Sequence, residues 1–156
     1  MSEVPFQLTP EQCEALRHLF DQIPFNRFVG IQVTELTLER IQMQLPMKPE
    51  LIGNRFQGIL HGGVIATILD VAGGAMALIS VFERHLQLPA SERMARLARL
   101  GTIDLRVDYL RPGRGQLFTA SASLLRSGNK VAVVRSELRN EDDMLVAVGT
   151  GTYLCG

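Results

Sequence analysis

Residues 61–82 have the sequence HGGVIATILDVAGGAMALISVF, in which only Thr67, Asp70 and Ser80 interrupt a run of apolar and glycine residues after the histidine. The length of this run is within the range of a membrane-spanning helix. Asp70 lies in its middle, however, where a carboxylate costs roughly 2.5–3.5 kcal/mol on insertion scales, and the glycines weaken the run further. The stretch therefore predicts a long helix that is buried on all sides inside a soluble protein, with no membrane span.

The segments before this central helix carry boundary signals. Thr9, Pro10 and Gln12 provide an N-cap, a first-turn proline and a capping-box partner, so they predict a helix that Pro24 ends. Proline, glycine and asparagine favour a loop immediately before the central helix. The predicted elements are a helix over residues 10–23, strands over 28–36 and 40–45, and a loop over 46–60.

After the central helix, the spacing of the apolar residues changes from the period of a helix to the two-residue period of a strand. A short amphipathic helix is predicted first, and then apolar residues alternate with polar ones from Gly101 to Tyr109, with Ile103 on the apolar face. Turn signals separate the strands that follow, including Ser127-Gly128-Asn129 before Val131. The predicted elements are a helix over residues 91–100 and strands over 101–109, 117–126, 130–139 and 144–154.

This order of elements predicts the fold class. Two strands, a long buried helix and four consecutive strands indicate a single α+β domain over residues 1–156, with one antiparallel sheet wrapped around the central helix. Such wrapping explains why the helix needs no polar face. It also explains the small residues Gly73 and Gly74 in the helix and Gly149 and Gly151 in the last strand, because they permit close approach of helix and sheet.

Composition limits the classes of function and location. Formal charge balances at 16 basic and 16 acidic residues, but residues 84–135 contain ten Lys and Arg against three acidic residues, which favours an anionic ligand. A pI near 6.8 and the lack of aromatic stacking motifs argue against nucleic acid. Cys13 and Cys155 fit neither a disulfide framework nor a zinc site, and the N-terminal residues lack the pattern of a secretory signal. We expect a cytoplasmic protein that binds no metal.

The start of the central helix suggests an oxyanion hole. Gly62 and Gly63 leave backbone N–H groups bare, and the helix dipole adds partial positive charge at the same place. A carbonyl oxygen that gains negative charge during attack on a thioester could bind the Gly62 N–H, with His61 beside it. The alternative is a helix that merely begins with glycine and uses His61 as its cap.

Asp70 is the second candidate for catalysis. An unpaired carboxylate inside an apolar helix costs several kcal/mol by desolvation, so it needs a partner or a purpose. No Lys or Arg lies within one turn of Asp70. Its function would be general-base or nucleophilic catalysis, and the structural alternative is an ion pair with a remote arginine such as Arg106.

These two features together resemble a known family, the PaaI/YigI-type hotdog-fold acyl-CoA thioesterases. The family's mark is a His-Gly-Gly that opens the central helix, with an acidic residue nine positions after the histidine, as in residues 60–72 here. A second match is residues 101–115, GTIDLRVDYLRPGRG, and the closest likeness is to the YigI branch. The resemblance implies a hotdog fold, homodimers that often pair into tetramers, hydrolysis of medium- or long-chain acyl-CoA, and no cofactor besides the CoA of the substrate.

The resemblance also implies roles for individual residues. Asp70 matches the catalytic acid, as nucleophile or base, Gly62 matches the oxyanion donor, and His61 is the residue beside it. Thr102 falls where relatives hold the attacking water with a hydroxyl, although an ordinary strand-start threonine is an equal alternative. Relatives have an assisting Asn six residues before the histidine. Arg55 occupies that position here, so the candidates for the amide are Asn54 and Gln57.

The resemblance further implies a set of residues that bind the substrate, mostly at the CoA nucleotide. Loop arginines and lysines beside glycines are suited to phosphate, whereas exposed arginines in turns are also common without any ligand. The set consists of Gly63, Arg111, Arg114, Arg126, Ser127, Gly128 and Lys130.

Two other classes of function remain open at this point, a hotdog hydratase or dehydratase and a non-catalytic acyl-CoA-binding protein. The helix geometry adds one constraint on any shared site. Gly62 and Asp70 are eight residues apart, or about 12 Å along the axis, so they cannot meet on one thioester within a subunit. A two-fold dimer with antiparallel central helices would form two shared sites.

Overall fold

The N-terminal region consists of two helices in this computed structural model, which describes residues 7–156. Helix α1 (Pro10–Asp21) begins with the expected capping box between Thr9 and Gln12. Pro24 does not simply end a helix, because it is the first residue of a second one, α2 (Pro24–Val29). The predicted strand from Phe28 is therefore wrong at its start. Gly30, with φ +98°, ends α2 in a conformation that favours glycine.

The described residues form eight strands. In chain order they are β1 (Gln32–Leu36), β2 (Arg40–Pro46), β3 (Ile52–Asn54), β4 (Ile59–Leu60), β5 (Gly101–Tyr109), β6 (Leu117–Ser127), β7 (Val131–Asn140) and β8 (Leu145–Leu154). Six of these strands form one antiparallel sheet in the order β1-β2-β6-β7-β8-β5. The hairpin predicted at residues 127–129 joins β6 and β7, which are adjacent in this sheet.

The segment predicted as a loop over residues 46–60 has structure of its own. A short 3-10 turn (Pro49–Leu51) precedes a two-stranded ribbon of β3 and β4. The ribbon packs closely on the residue before the central helix, since a Cβ at Gly53 would lie 2.7 Å from the Cα of His61. Close backbone approach at a glycine thus fixes the entry of the chain into the helix.

The central helix, α3 (Gly62–Arg84), packs across the sheet as predicted, two residues longer at its C-terminal end. By length and composition it could cross a membrane, yet 61% of its most apolar window is buried within the fold. Its contacts with β6, β7 and β8 identify it as the core helix of a sheet-wrapped α+β fold. A shorter helix, α4 (Ala90–Leu97), covers its C-terminal end.

Strand β5 lies at one edge of the sheet, and its alternation is broken by a bulge. Thr102 pairs with Tyr153 and Asp104 pairs with Thr152, so Ile103 is the extra residue between two register pairs. Ile103 is 57% exposed rather than on the apolar face that the period-two pattern predicts. A bulge redirects side chains locally, and this one lies beside Thr102, a candidate site residue.

Candidate active site

His61 caps the central helix, and this uses one of the two glycine N–H groups. The Nδ1 atom of His61 accepts a hydrogen bond of 2.8 Å from the N–H of Gly63. The expectation of two bare glycine donors is therefore wrong for Gly63, because the cap satisfies it. The hydrogen bonds of residues 7–156 include none from the N–H of Gly62. Gly62 thus remains the donor available to a developing oxyanion.

Tyr109, which the sequence reasoning did not select, lies over the same helix start. Its hydroxyl donates to the carbonyl oxygen of Gly62 at 2.9 Å. Its ring passes close to the glycine, since a Cβ there would meet a ring carbon at 3.5 Å. The only sequence signal for this contact is the position of Tyr109 at the end of β5, within the motif that carries the family resemblance.

Asp70 is half-buried and accepts hydrogen bonds from two hydroxyl groups. Its Oδ1 atom accepts from the Thr102 hydroxyl at 3.0 Å and from the Tyr153 hydroxyl at 3.3 Å. Among residues 7–156 no cation lies within ion-pair distance of Asp70, and Arg106 instead pairs with Asp108 at 3.1 Å. The alternative of an ion pair between Asp70 and Arg106 is therefore wrong. Among the described residues, the groups that hold the Asp70 carboxyl group are neutral hydroxyl donors.

Tyr153 is a second residue that the sequence reasoning missed. Its side chain is fully buried, and its hydroxyl also donates to the main-chain oxygen of Asp70 at 3.2 Å. Burial raises the pKa of Tyr153 well above its ordinary value, and the neighbouring Asp70 carboxylate raises it further. The phenol therefore stays protonated and remains a donor.

Two glycines make room for this hydroxyl. A Cβ at Gly73 would lie 2.1 Å from the Tyr153 oxygen, and one at Gly151 would lie 2.4 Å from it. The sequence predicted close approach of helix and sheet at both positions. It gave no signal that a tyrosine hydroxyl occupies the space between them.

The two candidate amides both hold the loop before α3. The Oδ1 atom of Asn54 accepts from the main-chain N–H groups of Phe56 and Gln57 at 3.0 and 3.2 Å. The Oε1 atom of Gln57 accepts from Arg114 at 2.6 Å. Each amide oxygen is thus engaged within its own subunit, in a loop that packs beside the Gly62 end of the helix.

The candidate nucleotide-binding residues fall into two groups at opposite ends of α3. Arg111 and Arg114 lie near its start, where Arg111 donates to the carbonyl of Leu145 at 2.9 Å. The Ser127–Lys130 hairpin lies near its end, where Arg84 donates to the carbonyl of Gly128. A helix of 23 residues is about 34 Å long, so one subunit does not bring the two groups together. Arg126 and Lys130 are exposed and line a shallow pocket with Gly128.

Gly62 and Asp70 likewise do not meet within one subunit. The helix between them is continuous, and eight residues correspond to about 12 Å along its axis. Within residues 7–156 no group of three or more His, Cys, Asp or Glu side chains is placed to hold a metal ion. The geometry of one subunit thus provides a bare N–H at one point of the helix and a hydroxyl-held carboxylate about two turns further along.

Comparisons with known proteins identify the family to which this chain is similar. The sequence profile of the thioesterase superfamily matches residues 57–147. The chain is 52% identical over 134 residues to the medium/long-chain acyl-CoA thioesterase YigI of Escherichia coli K12, covering 86% of each protein. The YigI protein of Salmonella typhimurium shows the same identity and coverage. A Shewanella oneidensis protein related to the thioesterase superfamily has a crystal structure that matches with a TM-score of 0.89 at 47% identity, covering 96% of this chain and 100% of that one.

Proposed function

The chain belongs to the thioesterase superfamily, and from this premise we propose that it hydrolyses medium- or long-chain acyl-CoA to the free acid and CoA. The observation that carries the proposal is the environment of Asp70. A half-buried carboxylate in an apolar helix, held by two hydroxyl donors and by no cation of the part of the chain that the structure describes, is suited to act on an electrophile or on water. The chain-length range follows from the activity named for the YigI relatives.

The proposed chemistry needs only groups of the chain and water. Asp70 either removes a proton from water as the water oxygen bonds to the thioester carbon, or attacks that carbon itself to form an anhydride that water then cleaves. The carbonyl oxygen becomes negative in either route, and the N–H of Gly62 stabilises it. Collapse of the tetrahedral intermediate breaks the C–S bond, and the CoA thiolate leaves and takes up a proton.

A composite site requires a homodimer, which we propose on two grounds. Gly62 and Asp70 are too far apart along one helix to act on one carbon. A two-fold axis between antiparallel helices would place Gly62 of each subunit beside Asp70 of the other. Edge strand β5 also exposes Ile103 and Tyr109, at 57% and 54%, and an exposed edge strand is suited to pairing with a second copy.

We extend the proposal to a dimer of dimers and to a cytoplasmic location, where unpaired Cys13 and Cys155 remain reduced.

For the CoA nucleotide we propose Arg111 and Arg114, which lie near the Gly62 end of the helix. Both are exposed. Arg111 donates one hydrogen bond to the protein and Arg114 donates two, both to Gln57, so the remaining N–H groups of each can bind phosphate. The contribution of Thr102 is proposed to be orientation of Asp70 or of the attacking water. Arg126 and Lys130 would serve the nucleotide only from a different subunit or a different CoA molecule.

The test is a thiol-release assay on purified protein with short, medium and long saturated acyl-CoA substrates, with the products identified by mass spectrometry. We expect stoichiometric free acid and CoA, with the highest kcat/KM at medium or long chains. Hydrated acyl-CoA without thiol release would replace the proposal by a hydratase. Saturable acyl-CoA binding without any product would replace it by a binding protein.

A further inference from the structure

A group of basic side chains lies at the end of the central helix remote from the candidate active site. We define the α3–α4 basic cluster as Arg84, His85, Arg93 and Arg96. Arg84 is 14 residues beyond Asp70, or about 21 Å along the helix axis. None of the four side chains contacts Gly62 or Asp70, although Arg84 donates to the carbonyl of Gly128 in the candidate nucleotide-binding hairpin.

The members of the cluster are held in place by the fold. Arg84 donates through one guanidinium nitrogen to the carbonyl of Gly128, in the β6–β7 hairpin. Arg93 donates to the carbonyl of Leu86 at 3.0 Å and stacks on the ring of Phe82, with its guanidinium carbon 4.7 Å from the ring centroid. These contacts fix both guanidinium groups while leaving other N–H groups of each unused.

The cluster has no compensating carboxylate. Among residues 7–156, no Asp or Glu lies within ion-pair distance of any of its side chains, although Glu83 and Glu92 are neighbours in sequence. The C-terminal dipole of α3 supplies only about half a negative charge, against three guanidinium groups. The positive charge of the cluster therefore far exceeds the partial negative charge of the helix C-terminus.

Two polar atoms of the cluster are also buried with no hydrogen-bond partner among the described residues. They are the Nε of Arg84 and the Nδ1 of His85, in consecutive residues. Buried polar atoms are almost always hydrogen-bonded, so an unpaired pair in one place is unusual. Burial lowers the pKa of His85, and the neighbouring guanidinium groups of the cluster lower it further, with Arg96 first among them. The imidazole thus lies in a positive electrostatic potential, which a bound anion would reduce.

From these contacts we propose that the α3–α4 basic cluster is a binding site for a phosphate group. Arg96, which is exposed, and the unused edge of Arg93 would make the direct charge-assisted bonds, while Arg84 contributes further positive charge. A phosphate monoester, with about −1.5 to −2 charge near neutral pH, matches the cluster better than a carboxylate. The phosphate has two possible sources, free inorganic phosphate or the 3′-phosphorylated nucleotide of a CoA molecule, and only the second rests on the proposed function.

The test is isothermal titration of the whole protein with inorganic phosphate and, separately, with adenosine 3′,5′-bisphosphate. We expect saturable binding that weakens about tenfold or more in Arg96→Gln, because a hydrogen bond between charged groups is lost. Arg99→Gln is the matched control, since Arg99 lies three residues further along, is exposed, and does not belong to the cluster. Its affinity should stay within about twofold of wild type.

A second measurement follows His85 directly. The imidazole proton resonances of His85, assigned by a His85→Gln variant, should move on addition of the ligand, whereas those of His18, which belongs to neither proposed phosphate site, should stay in place. Bisphosphate binding that is tighter than phosphate binding and that Arg96→Gln weakens would identify the nucleotide as the source, and equal binding would identify free phosphate. The absence of saturable binding and of a His85 response would overturn the proposal, as would equal weakening in Arg99→Gln. The Asp70→Asn protein should bind phosphate as the wild type does. Failure of this proposal can therefore be distinguished from failure of the proposed hydrolysis.

Discussion

Thr102 and Tyr153 are direct partners across strands β5 and β8, and their hydroxyl groups lie 3.0 and 3.3 Å from the same oxygen of Asp70. A register pair on adjacent strands projects both side chains to the same face of the sheet, here toward the central helix. The Oδ2 atom of Asp70 accepts no hydrogen bond from residues 7–156 and is not buried. The sheet thus fixes one carboxylate oxygen and leaves the other available for chemistry.

Asp70→Asn is expected to lower kcat by roughly 10²–10⁴, the range for a positioned acid or base, because the amide cannot accept a proton or attack the thioester. The amide oxygen can still accept the hydroxyl of Thr102, so stability should be nearly unchanged. Thiol release at saturating acyl-CoA and urea denaturation measure the two quantities. Turnover above about a third of wild type would show that another group is the catalytic carboxylate or base.

Thr102→Val is expected to lower kcat about tenfold or more with little change in KM, because it removes a hydrogen bond to the Asp70 carboxylate while nearly keeping side-chain volume. Thr102→Ser restores the hydroxyl and should recover most of the activity. Steady-state kinetics of both variants make the test. Equal losses in the serine and valine variants would mean that Thr102 acts through packing alone.

Tyr153→Phe is expected to change how stability depends on alkaline pH. Burial and the Asp70 charge raise the pKa of Tyr153 above its ordinary value of 10.0, so the folded state holds the phenol proton more tightly than the unfolded chain does. The stability that this tighter proton binding contributes to the folded state is complete below about pH 10, the pKa of tyrosine in the unfolded chain. It is lost as the pH rises toward the pKa of Tyr153 in the folded state. Urea denaturation from about pH 8 to about pH 11 should show the stability of wild type approaching that of the variant. A constant difference would contradict the shift.

Gly73→Ala and Gly74→Ala form a matched pair on α3. An alanine Cβ at Gly73 would lie 2.1 Å from the buried Tyr153 hydroxyl, whereas at Gly74 it would meet the same ring at 3.5 Å, an ordinary contact. We expect Gly73→Ala to cost about 1–3 kcal/mol by overpacking. Gly74→Ala should gain about 0.5–1 kcal/mol, as alanine does inside a helix. Chemical denaturation compares the two, and similar values for both would refute the close contact.

The features that the sequence predicted are those with a local pattern. The long apolar run at residues 61–82, the capping box at Thr9 and the turn residues Ser127-Gly128-Asn129 each specify structure within a few positions, and each was confirmed. Phe28 and Val29 were misassigned to a strand because α2 is a short helix, fixed by Pro24 at its start and Gly30 at its end rather than by periodicity.

The contacts around Asp70 depend on register between distant segments. Tyr153 reaches Asp70 across 83 positions of sequence, and Thr102 does so across 32. Thr102 came from the family resemblance, whereas nothing in the local pattern of β8 marked Tyr153. The bulge at Ile103 likewise could not be predicted from the local sequence, because only the pairing of β5 with β8 shows which residue is the extra one.

The shared-site hypothesis is tested by mixing two inactive chains. Of the two glycine N–H groups at the start of α3, Gly62→Pro removes the one that lacks an acceptor within the described residues, and proline is tolerated as the first residue of a helix. His61, with φ −64° and ψ 136°, already has the extended backbone that a residue before proline requires. Gly62→Ala, which keeps the N–H and adds a Cβ in ordinary contact with Tyr109, is the matched control and should stay active.

Asp70→Ala and Gly62→Pro proteins, each nearly inactive alone, are dissociated, mixed and re-associated. Half of the randomly paired dimers are mixed, and each mixed dimer contains one site with an intact Gly62 end from one subunit and an intact Asp70 from the other. Activity should therefore recover to about a quarter of wild type, because a quarter of all sites would then have both groups. Differently tagged chains, isolated as verified mixed dimers, should show about half of the wild-type activity per dimer. If such dimers remain as inactive as their parents, Gly62 and Asp70 do not act together across the subunit boundary.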